Sequence, residues 1–281
     1  MLADYIDAHR GQYRAIVDLN NAQGKERLFM FHPDIGGCEV YTDLARSLRA
    51  EFHCYGVDSF NLNHDNKIAD LRELSAYYLA RIDELAASNP DATVRLLGWS
   101  LGGTIAMEVA AQLEQRGSRN IQLILLDTIV DDHYLSQLKS DPAYVAGLEA
   151  DYLMFLESQQ YPATHIRRSL PNIALAVKFE AAKLSRVLEH AEVILFKAME
   201  VDAELAAGSL TQLFGHATAV AASNVETLLQ SPATQLQVIN LDACHHNDIL
   251  DDVDLIRGLL LDLLEKGCAS AQACVLKEAA Q

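Results

Sequence analysis

The chain has 281 residues, of which 50% are apolar and 22% are charged, a composition typical of a folded globular protein and unlike that of a disordered one. Its formal net charge of −17, without any cluster of lysine and arginine, argues against a nucleic-acid partner or an anionic membrane. The five cysteines are scattered, so the sequence indicates neither a zinc site nor a disulfide framework and favours a cytoplasmic protein with reduced thiols.

Seven short segments are predicted to be strands, and longer amphipathic segments separate them. The first, 13–19, alternates between apolar and polar residues and is expected at the edge of a sheet. The other six are nearly continuous in apolar residues, which is typical of parallel strands buried on both faces. They are 27–32, 52–57, 93–98, 121–127, 192–197 and 235–241.

Helical patterns lie between these strands at 40–50, 68–88, 101–117 and 249–267. Gly117 and Gly267 stand where the last two patterns end, as is common for glycines that terminate helices. Strand and helix therefore alternate along the chain, and this alternation predicts a doubly wound α/β domain.

One segment, 131–190, contains no strand-like run and is helical in pattern, with Pro142, Pro162 and Pro171 as expected breaks. Sixty residues are too many for a simple crossover between buried strands, so we interpret this segment as a helical lid over the strand ends. The alternative is a pair of crossover helices with loops. With the lid set aside, the predicted core comprises 14–130 and 191–267.

The sharpest motif is GWSLG at 98–102, which fits the pattern G-x-S-x-G. It follows an apolar strand and opens an amphipathic helix, which is the context that gives this short pattern meaning. The turn would expose the Ser100 hydroxyl above the sheet, at a helix N-terminus that favours developing negative charge. A glycine-rich strand–helix turn with an incidental serine is the alternative.

A serine nucleophile needs a base, and the base needs an orienting acid. On this architecture the chain order is serine, acid and then a histidine after the last strand. The segment DACHHNDIL at 242–250 meets that last condition with two histidines, His245 and His246.

Four segments, taken together and in order, resemble the chain-terminating thioesterase domains of nonribosomal peptide synthetases, most of all those of siderophore-type assembly lines. The resemblance covers roughly 14–265 and implies an α/β-hydrolase fold. The four segments are LFMFHPDIGG (28–37), GWSLGG (98–103), LILLDT (123–128) and HHNDIL (245–250).

The resemblance implies roles for three side chains. Ser100 aligns with the acyl-accepting serine, Asp127 with the acid and His246 with the base of the triad. His246 is preferred to His245 because the family pattern places a leucine or isoleucine four residues after the base, and Leu250 fits that pattern.

A second loop also offers candidates for the acid of the triad. Many α/β-hydrolases, and stand-alone editing thioesterases, take it from the loop after the penultimate strand, and here that loop offers Glu200 and Asp202. Asp127 is preferred because LILLDT matches the terminal-domain pattern closely. The alternative role for Asp127 is that of a helix N-cap after a strand.

The resemblance also implies an oxyanion hole made from the backbone N–H groups of Leu101 and Asp34. Relatives carry a small or apolar residue where this chain has Asp34. Because an acid beside a developing oxyanion would be unfavourable, we expect the Asp34 side chain to point away.

No bound cofactor or metal is expected. The run Cys244, His245, His246 and Asp248 lacks the usual spacing of metal ligands. The acyl chain is expected to arrive on the phosphopantetheine of an acyl or peptidyl carrier protein, which is the partner that the resemblance implies. We expect a monomer or one part of a larger synthetase.

The two ends of the chain lie outside the predicted core. Residues 1–13 resemble the last helix of a carrier domain or its linker, although an ordinary amphipathic helix explains them equally well, and 268–281 form a C-terminal tail. The expected activity is release of the chain by hydrolysis or macrocyclisation. The alternatives are a stand-alone editing thioesterase, a carboxylester hydrolase or, remotely, a non-catalytic binding module.

Overall fold

The structure, a computed structural model, describes residues 13–85, 93–179, 183–201 and 208–266. The strands of this part of the chain are β1 Ile16–Asp18, β2 Glu26–Phe31, β3 Phe52–Val57, β4 Val94–Trp99, β5 Ile121–Leu126, β6 Glu192–Glu200 and β7 Leu236–His245. They form one sheet in the order β1-β3-β2-β4-β5-β6-β7. Only the edge strand β1 runs antiparallel to its neighbour, so the mostly parallel sheet and the outer position of the first strand are confirmed.

The sheet is buried on both faces because side chains alternate between two apolar clusters. On β2, Leu28 and Met30 belong to one cluster, whereas Phe29 and Phe31 belong to the other. This two-residue period is the geometry of a pleated strand. It explains why the central strands are continuous apolar runs in the sequence.

Helices cover each face. On the first face lie α1 (Thr42–Ser47) and the C-terminal helix, Val253–Lys266, which contribute Leu44 and Leu260 to one cluster. The second face carries α3 (Leu71–Leu85) and α4 (Leu101–Gln115), which contribute Leu74 and Val109 to the other. The short helix α2 (Phe60–Asn63) precedes α3.

The predicted end of α4 at Gly117 is confirmed. Gly117 has a φ of 92°. The Ser118 N–H donates to the carbonyl of Leu113 over 3.1 Å, and the Gly117 N–H donates to the carbonyl of Glu114 over 3.0 Å. Glycine adopts this left-handed conformation without the steric cost that other residues carry. Gly267, the second predicted helix end, lies outside the described residues.

Three helices lie between β5 and β6: α5 (His133–Ser140), α6 (Pro142–Ser158) and α7 (Ala163–Ala176). Helix α6 begins at Pro142 and α7 follows Pro162, but α7 continues through Pro171, so the predicted break there is wrong. Pro171 and Arg167 are both exposed, and water can satisfy the carbonyl that the proline leaves unpaired. That this segment acts as a lid stays a prediction, as do the boundaries of the core and of the two tails.

The remaining described helices are α8 (Ser209–Ala219), α9 (Pro232–Gln235) and the C-terminal α10 (Val253–Lys266). Short 3-10 turns occupy Cys38–Tyr41, Val225–Leu228 and His246–Asp248. Of the helices in the described part of the chain, none combines the length and the apolar character that crossing a membrane requires.

Candidate active site

Ser100 occupies a strained turn between β4 and α4. Its backbone has φ 54° and ψ −122°, a region that residues other than glycine rarely adopt. The Ser100 N–H donates to the carbonyl of Leu126 over 3.0 Å, which holds the turn against the end of β5. The predicted nucleophile turn is therefore present in the backbone.

The glycines around Ser100 are required by close backbone contacts. A methyl group on Gly98 would overlap the backbone of Gly102, and one on Gly102 would overlap the carbonyl oxygen of Phe31. A methyl on Gly103 would overlap the side chain of Thr128. These approaches press the first turn of α4 against β2 and the end of β5, and so position Ser100 beside the loops that follow both strands.

Asp127 and His246 are in direct contact. His246 Nδ1 donates to Asp127 Oδ2 over 2.7 Å, and the second carboxylate oxygen, Oδ1, accepts the N–H of Ala198 over 3.0 Å. The Asp127 N–H in turn donates to the carbonyl of Phe196 over 2.7 Å, with a φ of 40° at Asp127. Both side chains are more than nine-tenths buried, so the pair is shielded from water.

The His246 ring contacts two aromatic side chains. Phe214 from α8 stacks on it with ring centroids 4.3 Å apart, and Trp99 lies 5.5 Å away. The acid contact fixes Nδ1 as the protonated nitrogen, since an ionised carboxylate can only accept. Nε2 is then the nitrogen that can accept a proton.

The two adjacent histidines have different partners. His245 contacts Asp248 through Nδ1 at 2.9 Å and Glu200 through Nε2 at 3.3 Å. Glu200, one of the two competing acids, is thus paired with His245 rather than with His246. The other competitor, Asp202, lies outside the described residues.

The loop after β2 carries Asp34 and is fastened to α7. The carbonyl of Ile35 accepts hydrogen bonds from His165 and Ser169, and that of Asp34 accepts one from Asn172 over 3.0 Å. Leu101 is the first residue of α4, where backbone N–H groups lack partners within the helix. The two residues predicted to form the oxyanion hole line the same cavity as Ser100, and their role stays a prediction.

The Asp34 carboxylate does not point away from the site as expected, because Asp34 lines one cavity with Ser100 and its carboxylate lies close enough to His246 to interact electrostatically. Its Oδ2 accepts a hydrogen bond of 2.7 Å from the Tyr152 hydroxyl on α6. Burial raises the pKa of Asp34, although the Tyr152 hydrogen bond and the nearby His246 act in the opposite direction.

The cavity is open to solvent at its mouth, and all three members of the predicted triad line it. Its wall is largely apolar and comes from α6, α7 and α8. The apolar lining includes Leu148, Tyr152, Val177, Leu213, Phe214 and Ala217. Such a cavity suits an organic chain whose reactive end reaches the serine.

Sequence reasoning did not identify Tyr152, Phe214 or Lys197 as residues of the site. Lys197 is buried, its ammonium donates to the carbonyl of Thr218 over 2.6 Å, and it lies close enough to Asp127 to interact electrostatically. Burial lowers the pKa of Lys197. The one available signal was a lysine within the apolar run EVILFK, which demands a partner if the strand is buried.

The fold and the site together define the structural class of this protein. A mostly parallel sheet with a strained serine turn after β4 and an acid–histidine pair after later strands is the arrangement of an α/β-hydrolase. Solved structures agree in fold. The NocB thioesterase domain from the nocardicin cluster superposes with a TM-score of 0.61 at 19% identity, covering 88% of this chain and 98% of that one. For the surfactin thioesterase domain SrfTE the TM-score is 0.56 at 17% identity, covering 90% and 97%.

The family follows from the sequence comparison. The family model described as "Thioesterase domain" matches residues 26–168, just over half of the chain, and the chain belongs to this family. Enterobactin synthase component F of Escherichia coli (strain K12) is 33% identical over 169 residues, which cover 57% of this chain but 13% of that protein. Malpibaldin synthetase of Mortierella alpina is 31% identical over 131 residues, covering 46% and 2%. The chain thus spans a small part of these large synthetases, as expected from the resemblance to synthetase thioesterase domains.

Proposed function

We propose that this domain releases an acyl or peptidyl chain from a phosphopantetheine thioester on a carrier protein, through an ester intermediate on Ser100. The observation that carries the proposal is the 2.7 Å contact between Asp127 and His246 in a cavity that Ser100 also lines. Family membership supports thioester chemistry, and the synthetases among the relatives support a carrier-bound substrate.

In the first step, His246 Nε2 takes the proton of the Ser100 hydroxyl while the serine oxygen attacks the thioester carbonyl. The N–H groups of Leu101 and Asp34 stabilise the negative oxygen of the tetrahedral intermediate. The carbon–sulfur bond then breaks, and the leaving sulfur takes the proton from His246. Asp127 stays ionised and stabilises the imidazolium that forms between the two proton transfers.

In the second step, His246 removes a proton from a second nucleophile, which attacks the Ser100 ester. The bond between the acyl carbon and Ser100 Oγ then breaks, and Oγ takes the proton back from His246. Water gives a free acid, whereas a hydroxyl or amine of the chain itself gives a ring. The helices α6, α7 and α8 that wall the cavity would govern how much water reaches the ester. The three side chains supply the chemistry, and the phosphopantetheine belongs to the carrier.

The carrier protein is the proposed partner. A net charge of −17 disfavours long-range attraction between this domain and an acidic carrier. Tethering within a larger synthetase would overcome that repulsion by raising the effective concentration of the carrier.

The test is release of a pantetheine-linked acyl chain by the wild type and by Ser100→Ala. Wild type should form product and, early in the reaction, carry the acyl mass on one peptide, and Ser100→Ala should do neither. Ser158→Ala is the matched control, because Ser158 is exposed at the end of α6 and its hydroxyl donates to the carbonyl of Phe155 in the same helix. Full activity of Ser100→Ala would end the proposal. A preference for oxygen esters would instead indicate a carboxylester hydrolase.

A further inference from the structure

The charged side chains that line the cavity are paired, with one exception. Asp127 contacts His246, and Asp131 contacts Lys139 over 2.7 Å. Asp34 forms no ion pair with any lysine, arginine or histidine in the described part of the chain, and its carboxylate accepts a hydrogen bond of 2.7 Å from the neutral Tyr152 hydroxyl. Among the described residues, Asp34 is therefore the one cavity carboxylate that no cation contacts directly, although His246 lies close enough to interact with it electrostatically.

Asp34 lines the same cavity as Ser100, the proposed acyl acceptor. A methyl on Gly102 would come within 2.9 Å of the His32 carbonyl, so the start of α4 touches the end of β2. Asp34 is two residues further on, at most about 7 Å along the chain. The loop is held by α7 and the side chain by Tyr152, so the carboxylate has a fixed direction.

A charged carboxylate without a direct cationic contact costs free energy at this place. Asp34 is half-buried in the cavity wall, and this burial raises its pKa, which means that it disfavours the charged form. The cost increases when an oxyanion forms next to it, because the two negative charges repel. A cation supplied by the substrate would remove both penalties at once.

The geometry suits a cation close to the reacting carbonyl. If the Asp34 N–H binds the oxyanion, the carboxyl carbon of the same residue lies within about 4 Å of that N–H, because only three bonds separate them. An α-amino nitrogen lies about 2.5 Å from the carbonyl carbon, across two bonds. The ammonium and the carboxylate are then within reach of a charge-assisted hydrogen bond.

We propose that Asp34 is a specificity residue which selects acyl chains that carry a free, protonated α-amino group, so that the preferred substrate is an aminoacyl thioester rather than an N-acylated one. This inference rests on the proposed thioesterase function. The carboxylate binds the substrate ammonium, and Tyr152 positions the carboxylate. Chains without a positive charge are disfavoured, because the Asp34 carboxylate then repels the oxyanion with no substrate cation to offset it.

The experiment compares kcat/KM for three pantetheine thioesters of one side chain: phenylalanyl, N-acetylphenylalanyl and 3-phenylpropionyl. The ratio of the first to each of the others is measured for wild type and for Asp34→Asn, so that differences in intrinsic reactivity cancel. The ratio measured for wild type should exceed the ratio measured for Asp34→Asn by about 10- to 100-fold, which is the range that a charge-assisted hydrogen bond contributes. Tyr152→Phe, which keeps the carboxylate but removes its hydrogen bond, should lower the ratio by a smaller factor.

Each other outcome is decisive. An equal ratio in wild type and Asp34→Asn, as when the variant loses kcat/KM equally on all three thioesters, would overturn the specificity role while leaving the thioesterase function intact. Wild type that releases none of the three chains would instead count against the proposed function itself. If Asp34→Asn does not fold, an unchanged ratio in folded Tyr152→Phe overturns the proposal.

Discussion

Replacement of Asp127 by asparagine tests the proposed proton relay most sharply. Each carboxylate oxygen of Asp127 accepts a hydrogen bond, from His246 and from Ala198. An amide offers one accepting oxygen and one donating nitrogen, so the asparagine side chain cannot accept both hydrogen bonds. If the amide nitrogen faces His246, Nδ1 becomes the acceptor, and the proton moves to Nε2, where it blocks proton transfer from Ser100.

The expected cost in rate is large. The same acid-to-amide change in a Ser-His-Asp triad lowers kcat by about 10⁴-fold, which corresponds to about 5 kcal/mol of transition-state stabilisation. Asp127→Asn should therefore keep about 10⁻⁴ of the wild-type kcat on a pantetheine thioester. The oxyanion donors and substrate binding account for the activity that remains.

The assay compares kcat of this variant with that of Glu200→Gln and Asp202→Asn. Glu200→Gln is the matched control, because it makes the same chemical change beside His245 and should keep kcat within about threefold, as is typical of a partly exposed ion pair. Thermal unfolding of each variant checks that the fold is intact. Retained activity in Asp127→Asn together with its loss in Asp202→Asn would refute the reasoning and favour an editing-type enzyme.

Three further predictions follow from the contacts of the site and its surroundings. Gly98→Ala should lower kcat by at least about 10²-fold, since the turn must shift to admit a methyl, whereas Gly258→Ala, at an open helical position, should be neutral or stabilising in thermal unfolding. Phe214→Leu should lower kcat by about 2- to 10-fold through loss of the ring stacked on His246, and an unchanged kcat would show that the stack does not orient the base. Burial raises the pKa of Asp58 to about 6, so the folded state keeps a proton that the unfolded state has lost, and this contribution to stability falls as pH rises from about 4 to 6. Asp58→Asn should therefore gain free energy of unfolding relative to wild type over that window in urea titrations, and a constant difference would contradict the assignment.

The sequence predicted the sheet well because burial on both faces leaves a strong local signal. Each central strand is an apolar run that ends within a few residues of its predicted bounds. The serine turn was equally visible, since its tight contacts demand glycine at 98 and 102. The contact between Asp127 and His246 was expected from chain order and resemblance, and the structure places the two side chains together.

Other features of the site leave no local signal. The Tyr152 hydroxyl meets Asp34 across 118 positions, and no periodicity in α6 marks that tyrosine. The stacking of Phe214 on His246 depends on how α8 packs against the sheet. The exposed face of α7 tolerates Pro171, which the sequence presents as a helix break. Such contacts arise from tertiary packing, which local patterns do not encode.

The most direct test of the account is the site of covalent capture by a serine-directed fluorophosphonate. We expect one adduct, mapped by peptide mass spectrometry to Ser100, with a labelling rate that falls by orders of magnitude in His246→Ala. An adduct on another residue, or thioester release that continues after Ser100 is fully labelled, would contradict the claim that this serine carries the acyl chain.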